Sequence, residues 1–228
     1  MIDGVVFDKD GTLFDFRQSW GVWTDRLLLQ IAVDEAHASM LATAIGYDRV
    51  ARDFRPDSPV IAATAVEIAN VLLPLLPGQS LQGLVDRLNA QAQDAQMAPA
   101  VPLRAVLAGL RDRGLKLGLA TNDTERPARA HLDAHGVLDL FDFIAGYDSG
   151  HGAKPGPGMC LAFARETGID PARAIMVGDS LHDLVAGRAA GMRCVGVLTG
   201  IADKAELAPL ADVVLPDIGS LGAWIDGL

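Results

Sequence analysis

Short apolar runs alternate with segments of helical periodicity along most of the chain. The runs are rich in Val, Ile and Leu and cover residues 2–7, 115–120, 143–145, 174–177, 194–198 and 213–215. Runs of this length are typical of strands that are buried on both faces of a parallel sheet. From residue 101 onward, the segments between them carry apolar residues at helical spacing, such as Leu103, Leu107 and Leu110. The alternation predicts an α/β fold with a Rossmann-like parallel sheet core.

The segment 16–97 interrupts this alternation. Its pattern predicts helices over residues 20–33, 35–45, 59–76 and 81–95, and no strand. A crossover between two parallel strands needs only about a dozen residues, so a segment of this length must be an insert. We therefore predict two units, a catalytic core of residues 1–15 and 98–228 and an inserted all-helical cap of residues 16–97.

Composition and charge narrow the possible classes of protein. Half of the 228 residues are hydrophobic, enough for a sizeable core, and the formal net charge is −10. No run of Lys and Arg indicates a nucleic-acid partner, and no apolar stretch reaches the roughly 18 residues of a membrane span. The first residues lack the pattern of a signal peptide, so we expect a cytoplasmic protein. Cys160 and Cys194 lie in apolar surroundings and are predicted to be reduced core residues.

The first candidate motif, Asp8-Lys9-Asp10-Gly11-Thr12, directly follows the first predicted strand. Two carboxylates one residue apart can point at one centre, which suits a metal site or a nucleophile with its acid. A surface turn with solvated carboxylates is the alternative, and the preceding apolar strand makes it less favoured. By strand alternation, the Lys9 side chain should point away from Asp8 and Asp10, which indicates a structural role.

Two further motifs suit an anionic ligand. Thr121 and Asn122 follow the second core strand, where a hydroxyl and backbone N–H groups at a helix start can bind phosphate. Asn122 with Glu125 also fits a helix N-cap with its capping-box partner, and the two interpretations are compatible. Lys154, in a Gly/Pro-rich loop, is a candidate phosphate ligand, or else a solvated loop lysine.

The fourth motif, Gly178-Asp179-Ser180-Leu181-His182-Asp183, follows the strand at residues 174–177. Both of its aspartates can face one site, and carboxylate oxygens are ligands that Mg²⁺ prefers. The alternative is an acidic first turn that stabilises the helix dipole. Ligands in an open α/β sheet bind at the carboxyl ends of the strands, so all four motifs should meet at one edge.

These four motifs, in this order, resemble those of the haloacid dehalogenase-like superfamily. The helical insert after the first motif resembles the cap of its phosphoglycolate phosphatase-like and β-phosphoglucomutase-like members. The resemblance implies that Asp8 is the nucleophile, transiently phosphorylated, and that Asp10 is the general acid and base. It also implies that Thr121 and Lys154 hold the phosphoryl oxygens.

The resemblance further implies a Mg²⁺ cofactor. Its ligands would be the Asp8 carboxylate, the Asp10 backbone carbonyl and Asp179, with Asp183 supporting the site without binding the metal directly. The implied activity is hydrolysis of a small phosphomonoester, with phosphoglycolate as a possible substrate. Arg49, Arg52 and Arg55 of the cap are candidates for contact with an anionic leaving group, although local Asp–Arg pairs in a solvated loop are equally compatible.

Several rival functions share this fold. A sugar phosphomutase of the β-phosphoglucomutase type uses the same aspartates and is the main alternative. Asp10 disfavours a haloacid dehalogenase, and the lack of lysine in residues 15–100 excludes the Schiff-base chemistry of a phosphonoacetaldehyde hydrolase. A binding protein that has lost catalysis is disfavoured because every motif is intact. The sequence does not predict the oligomeric state.

Overall fold

The computed structural model describes all 228 residues. Its strands are β1 (Gly4–Phe7), β2 (Tyr47–Asp48), β3 (Asp53–Phe54), β4 (Lys116–Ala120), β5 (Phe143–Ala145), β6 (Ala174–Gly178), β7 (Arg193–Val197) and β8 (Val213–Leu215). Its helices are α1 (Phe16–Ile31), α2 (Glu35–Ala44), α3 (Ala65–Leu72), α4 (Leu81–Gln93), α5 (Leu103–Asp112), α6 (Glu125–Ala134), α7 (Gly158–Thr167), α8 (Leu181–Ala189), α9 (Lys204–Leu207) and α10 (Leu221–Asp226).

Six strands form one sheet in the order β5-β4-β1-β6-β7-β8, and every pair is parallel. The predicted α/β core is thereby confirmed, and each predicted strand is found within two residues of its expected bounds. β1 lies between β4 and β6, and its Val5, Val6 and Phe7 side chains are fully buried. Asp8 therefore leaves the middle of the sheet at its carboxyl edge, with the ends of β4 and β6 on either side.

Helices α1 to α4 lie between β1 and β4 in sequence and form the predicted helical cap. The prediction of a helix over 59–76 was too long, because α3 begins only at Ala65. A capping box between Thr64 and Glu67 fixes that start, and a short 3-10 turn around Pro74 follows its end. No helix of the chain is both long and apolar enough to cross a bilayer.

The expectation that the cap contains no strand was wrong, because β2 and β3 form an antiparallel hairpin. Each strand has only two residues, too few for a period-two pattern to be visible in the sequence. The loop is closed by the Asp48 carboxylate, which accepts hydrogen bonds from the N–H groups of Val50 (2.8 Å) and Ala51 (2.9 Å). The Tyr47 and Phe54 rings pack against each other with centroids 5.1 Å apart, which anchors the hairpin.

Both cysteines are free and buried, as predicted. Burial raises the pKa of the Cys160 thiol to about 12 and that of the Cys194 thiol to about 11. Thiols with such pKa values stay protonated at neutral pH, so neither supplies a nucleophile or a metal ligand.

Candidate active site

One cavity of about 120 Å³ lies between the carboxyl edge of the sheet and the cap. Its lining includes six of the predicted site residues, namely Asp8, Asp10, Thr121, Asn122, Lys154 and Asp179. Asp183 is 1 % exposed and lies directly behind Lys154. The structure thus brings the four sequence motifs together at one site.

The turn after β1 brings Asp8 and Asp179 close together. The Asp8 N–H donates to the Val177 carbonyl (2.9 Å), which continues the β1–β6 ladder up to the site. Gly11 then takes a left-handed conformation with φ +82°, and a Cβ at that position would lie 2.3 Å from Asp179 Oδ2. Glycine is required there for both reasons, because a side chain would strain the backbone and displace the carboxylate.

Lys154 is buried between two carboxylates, so the alternative of a solvated loop lysine is wrong. Its ammonium lies 2.5 Å from Asp8 Oδ1 and 2.6 Å from Asp183 Oδ1. The other Asp183 oxygen accepts from the Ser180 hydroxyl (2.6 Å) and N–H (3.0 Å) in a capping box at the start of α8. Asp183 is therefore occupied on both oxygens, whereas Asp8 Oδ2 has no hydrogen-bond partner in the chain and faces the cavity.

Asn122 holds the loop that contains Lys154, the lysine loop, and does not cap a helix. Its Oδ1 accepts from the Lys154 N–H (2.9 Å), and its Nδ2 donates to the carbonyls of Lys154 (3.0 Å) and Ala62 (2.8 Å). The predicted N-cap with Glu125 was wrong, because α6 begins two residues later than that pairing requires, after Thr124. The backbone N–H of Asn122 has no acceptor in the chain and remains available to an anion in the cavity.

The carboxylates of Asp8, Asp179 and Asp183 form a potential metal site, with their oxygen atoms within 4.8 Å of one another. Burial raises the pKa of Asp8 to about 7, although the Lys154 ammonium opposes this shift. Burial and the neighbouring Asp183 and Asp8 raise the pKa of Asp179 well above its usual value. Three buried carboxylates beside one ammonium leave a deficit of positive charge.

A divalent cation would remove that deficit, and an all-oxygen donor set suits Mg²⁺. Gly200 allows the Asp179 carboxylate to take this position, since a Cβ at Gly200 would lie 1.7 Å from Asp179 Oδ2. The Asp10 carbonyl accepts no hydrogen bond from the chain and is free to act as a ligand as well. The residues present therefore fit the metal that the resemblance implies.

Lys9 contacts Asp10 directly, which corrects the prediction that it points away. Its ammonium lies 2.8 Å from Asp10 Oδ2 and 2.8 Å from Asp123 Oδ2, and 5.3 Å from the ring centroid of Trp20. Strand alternation does not apply here, because β1 ends at Phe7 and Lys9 already belongs to the turn. Burial raises the pKa of Asp10 despite the opposing charge of Lys9, so this carboxyl group holds a proton more readily than a solvated one.

Three side chains that contact Asp10 or Lys9 were not singled out from the sequence. Trp20 Nε1 donates to Asp10 Oδ1 (2.8 Å), and Asp123 shares Lys9 with Asp10. Burial, together with the charge of Lys9, lowers the pKa of His131 to about 4, so its ring is neutral. Its Nε2–H then donates to the Ala92 carbonyl of the cap (2.9 Å), and its Nδ1 accepts from Lys9 (3.3 Å). Asp123 could have been suspected from its place after Thr121; Trp20 and His131 carried no sequence signal.

The cap arginines do not reach the cavity. Arg49 is held by Asp25 (2.8 Å) and Glu35 (2.7 Å), and Arg55 pairs with Asp57 (3.2 Å) at the surface. Arg52 is exposed, in a left-handed conformation in the hairpin loop. Of the two interpretations open from the sequence, the structure favours a solvated loop with local Asp–Arg pairs.

Fold and candidate site together indicate an α/β phosphatase, with the acidic candidate site between a parallel sheet and a helical cap. The chain belongs to the haloacid dehalogenase-like hydrolase family, whose model matches residues 5–197, and to its phosphoglycolate phosphatase-like branch.

Individual relatives match over nearly the whole chain. A phosphoglycolate phosphatase from Rhodospirillum rubrum is 32% identical over 238 residues, which covers 99% of this chain and 91% of that protein. A phosphoglycolate phosphatase from Neisseria meningitidis is 31% identical over 231 residues, which covers 96% of this chain and 91% of that protein. The crystal structure of CbbY from Rhodobacter sphaeroides in complex with phosphate superposes with a TM-score of 0.64 at 25% identity, covering 97% of each chain.

Proposed function

We propose that the chain is a Mg²⁺-dependent phosphomonoester hydrolase that acts through an aspartyl-phosphate on Asp8. The observation that carries this proposal is the state of the Asp8 carboxylate. One of its oxygens is held by Lys154, and the other faces the cavity without a partner, beside Asp10. A fixed carboxylate with a free oxygen suits a nucleophile, and a second carboxyl group of raised pKa suits an acid.

The reaction would proceed in two displacements at phosphorus. In the first, an Asp8 oxygen bonds to phosphorus while the bond to the ester oxygen breaks, and Asp10 gives its proton to the departing alcohol. In the second, the ionised Asp10 takes a proton from water, the water oxygen bonds to phosphorus, and the bond to Asp8 breaks to release phosphate. Thr121, Lys154 and the Asn122 N–H would hold the phosphoryl oxygens during both steps.

The metal ligands would be Asp8, the Asp10 carbonyl and Asp179, with Asp183 keeping Lys154 in place. Bound Mg²⁺ would neutralise charge so that an anionic carboxylate can approach an anionic ester. Asp183 is not proposed as a direct metal ligand because both of its oxygens are occupied. One forms an ion pair with Lys154, and the other accepts hydrogen bonds from Ser180.

Residues 16–97 are proposed to act as the cap, joined to the core near Asp15–Phe16 and within residues 97–102. In this proposal the cap closes over bound substrate and keeps bulk water from the phosphoryl group until the second step. Trp20 and Ala92 support it, because both are cap residues that contact core residues beside the site.

The sugar phosphomutase remains the alternative. A mutase passes through a sugar bisphosphate, so its cavity must hold a second phosphate. Lys154 is the one cation among the lining residues, and it lies at the Asp8 end. The absence of a second cation therefore favours hydrolysis over isomerisation.

The test is to trap the intermediate. After mixing with substrate and Mg²⁺ and quenching in acid, the peptide that contains Asp8 should gain the mass of one phosphoryl group. Asp8→Asn should show neither this gain nor phosphate release, while its circular dichroism spectrum stays that of the parent. A well-folded Asp8→Asn protein that still releases phosphate would exclude the proposed mechanism.

A further inference from the structure

We infer that the leaving group of the natural substrate is apolar, the size of one ring or a short alkyl chain, and carries no anionic group. This inference rests on the proposed phosphomonoester hydrolase activity and adds the class of alcohol that the site releases. Neither phosphoglycolate nor a sugar phosphate belongs to that class.

The two ends of the cavity differ in chemistry. The sheet end carries the carboxylates and Lys154, whereas the cap end is lined by hydrophobic side chains from α1, β3, α3, α4 and the segment before α3. Representative members are Leu27, Phe54, Val60, Ile61, Ile68 and Leu88. The polar side chains that the cap adds are those of Thr24 and Asn89, and both are neutral. An alcohol released at the cap end would therefore meet mostly hydrocarbon.

The charges of the lining oppose an anionic leaving group. The lining contains four carboxylates, those of Asp8, Asp10, Asp123 and Asp179, and Lys154 is its one cation. Lys9 lies behind the lining, where Asp10 and Asp123 already share its charge. Lys154 is already shared between Asp8 and Asp183, at the phosphoryl end. The carboxylate of phosphoglycolate would then be buried without a counter-ion and close to like charges, an arrangement that is strongly unfavourable.

The cap arginines could supply the missing cation only by giving up their present partners. Arg49 would have to leave both Asp25 and Glu35, and the side chains of Arg52 and Arg55 lie at the surface of the hairpin region. Nothing in the hydrophobic lining would compensate that loss. The cap end thus remains without positive charge.

The volume of the cavity limits the alcohol. At about 120 Å³, with the phosphoryl end included, it is smaller than the roughly 150 Å³ of an engineered apolar cavity that takes up benzene. The part left for the alcohol suits one ring or a short alkyl chain at most, and apolar groups of this size favour a cavity lined by Leu, Ile and Phe over water.

The experiment compares three primary phosphate esters with the Mg²⁺-loaded enzyme: benzyl phosphate, phosphoglycolate and glucose 6-phosphate. We expect kcat/KM for benzyl phosphate to exceed the other two by about tenfold or more. A higher kcat/KM for phosphoglycolate or glucose 6-phosphate would overturn the inference while leaving the hydrolase activity intact.

A second experiment places a positive charge at the cap end of the cavity. Ile68→Lys should lower the ratio of benzyl phosphate to phosphoglycolate kcat/KM by at least about tenfold, because the new ammonium disfavours the ring and attracts the carboxylate. Val50→Lys adds the same charge at a 96 % exposed position outside the cavity and should leave the ratio unchanged. Ile61→Lys, at a second half-buried lining position, repeats the test if Ile68→Lys does not fold. An unchanged ratio in the folded variant would contradict the inference.

Binding of phosphonates that are not hydrolysed tests this inference independently of the proposed hydrolase activity. Benzylphosphonate and phosphonoacetate are matched analogues that cannot be hydrolysed at the phosphorus–carbon bond. Calorimetry in Mg²⁺ should show tighter binding of benzylphosphonate, by about tenfold or more. If no ester is turned over, the proposed hydrolase fails, but this order of affinities still decides the nature of the cap end. Tighter binding of phosphonoacetate would refute the inference that the leaving group is apolar.

Discussion

The Lys9 ammonium lies 2.8 Å from the Asp10 carboxylate and is fully buried there. It also lies 2.8 Å from Asp123, so one cation holds two carboxylates at the edge of the cavity. An ammonium in this position restricts the rotation of the Asp10 side chain and offsets the repulsion between the two carboxylates. Asp10 is thereby oriented before substrate arrives, as its proposed role of general acid requires.

The first prediction concerns this pair. Lys9→Met keeps most of the side-chain volume but removes the charge, and we expect kcat to fall by about tenfold or more with a smaller change in KM. Breaking a buried pair by removing one partner costs about 3–5 kcal/mol, so the free energy of unfolding should fall as well. Phosphate release and thermal unfolding measure the two effects.

A matched pair of variants distinguishes orientation from simple loss of stability. Lys9→Met with Asp123→Asn removes one charge of each sign and should recover much of the stability without recovering kcat. Lys116→Met removes a half-exposed lysine and should change neither quantity appreciably. Wild-type turnover in Lys9→Met would exclude a role for Lys9 in positioning Asp10.

The second prediction concerns the metal and pH. Because burial raises the pKa of Asp8 to about 7 and that of Asp179 well above its usual value, both carboxylates destabilise the metal-free fold when ionised. This destabilisation grows as the pH rises through the folded pKa values and is relieved below them. Mg²⁺ binds the ionised forms, so its stabilising effect should be larger at pH 8 than at pH 6.

Thermal unfolding with and without Mg²⁺ measures that effect. At a Mg²⁺ concentration of 100 Kd the gain is about 2.7 kcal/mol, which corresponds to a rise in Tm of roughly 5–10 °C for a chain of this size. Asp179→Asn removes a buried charge, so it should raise Tm without metal and abolish the increase with metal. A larger loss of metal response in Asp183→Asn than in Asp179→Asn would reverse the proposed division of roles.

The residues that we propose to carry the chemistry could be predicted to lie together, because they follow strands. Asp8 and Asp179 each end an apolar run, and parallel strands bring such ends together whatever the loops do. The position of Lys9 could not be predicted, because its direction depends on where β1 ends, and Phe7 and Asp8 give no sign of that boundary. The hydrogen bonds of Asn122 depend on the path of the lysine loop, which lies 32 residues away in sequence.

The hydrophobic end of the cavity was equally beyond sequence reasoning. Trp20, Ile68 and Leu88 belong to three different helices, and each helix also has an apolar face that packs in the core. An apolar residue that lines a cavity has the same sequence pattern as one that fills a core. The loop with three arginines was more conspicuous, although its charges are neutralised locally.

The third prediction tests the space around Asp179 with two glycines of similar backbone conformation. Gly11 has φ +82° and Gly78 has φ +84°, but a Cβ would collide with Asp179 only at Gly11, since nothing lies within 4 Å at Gly78. Gly78→Ala should therefore cost about 1–2 kcal/mol, the strain of a left-handed residue, and retain full activity. Gly11→Ala should cost more and reduce turnover at least about a hundredfold. Equal losses of stability in the two variants, or an active Gly11→Ala protein, would contradict the close approach at Gly11.

The last prediction concerns the cap arginines, which the sequence made candidates for substrate contact. Since Arg49 binds Asp25 and Glu35 and Arg55 binds Asp57, neither lines the cavity. Arg49→Ala and Arg55→Ala should leave KM for phosphoglycolate and for benzyl phosphate within about twofold of the parent.

Their effects on stability should differ from each other. Arg49 is 19% exposed and joins two acidic partners, so its removal should cost about 1 kcal/mol, whereas the Arg55 pair is mostly exposed and should contribute close to nothing. Steady-state kinetics with both esters and urea unfolding of each variant test these expectations. A tenfold rise in KM for phosphoglycolate alone, in either variant, would show that this loop turns inward to bind an anionic leaving group, and the apolar assignment of the cap end would then be wrong.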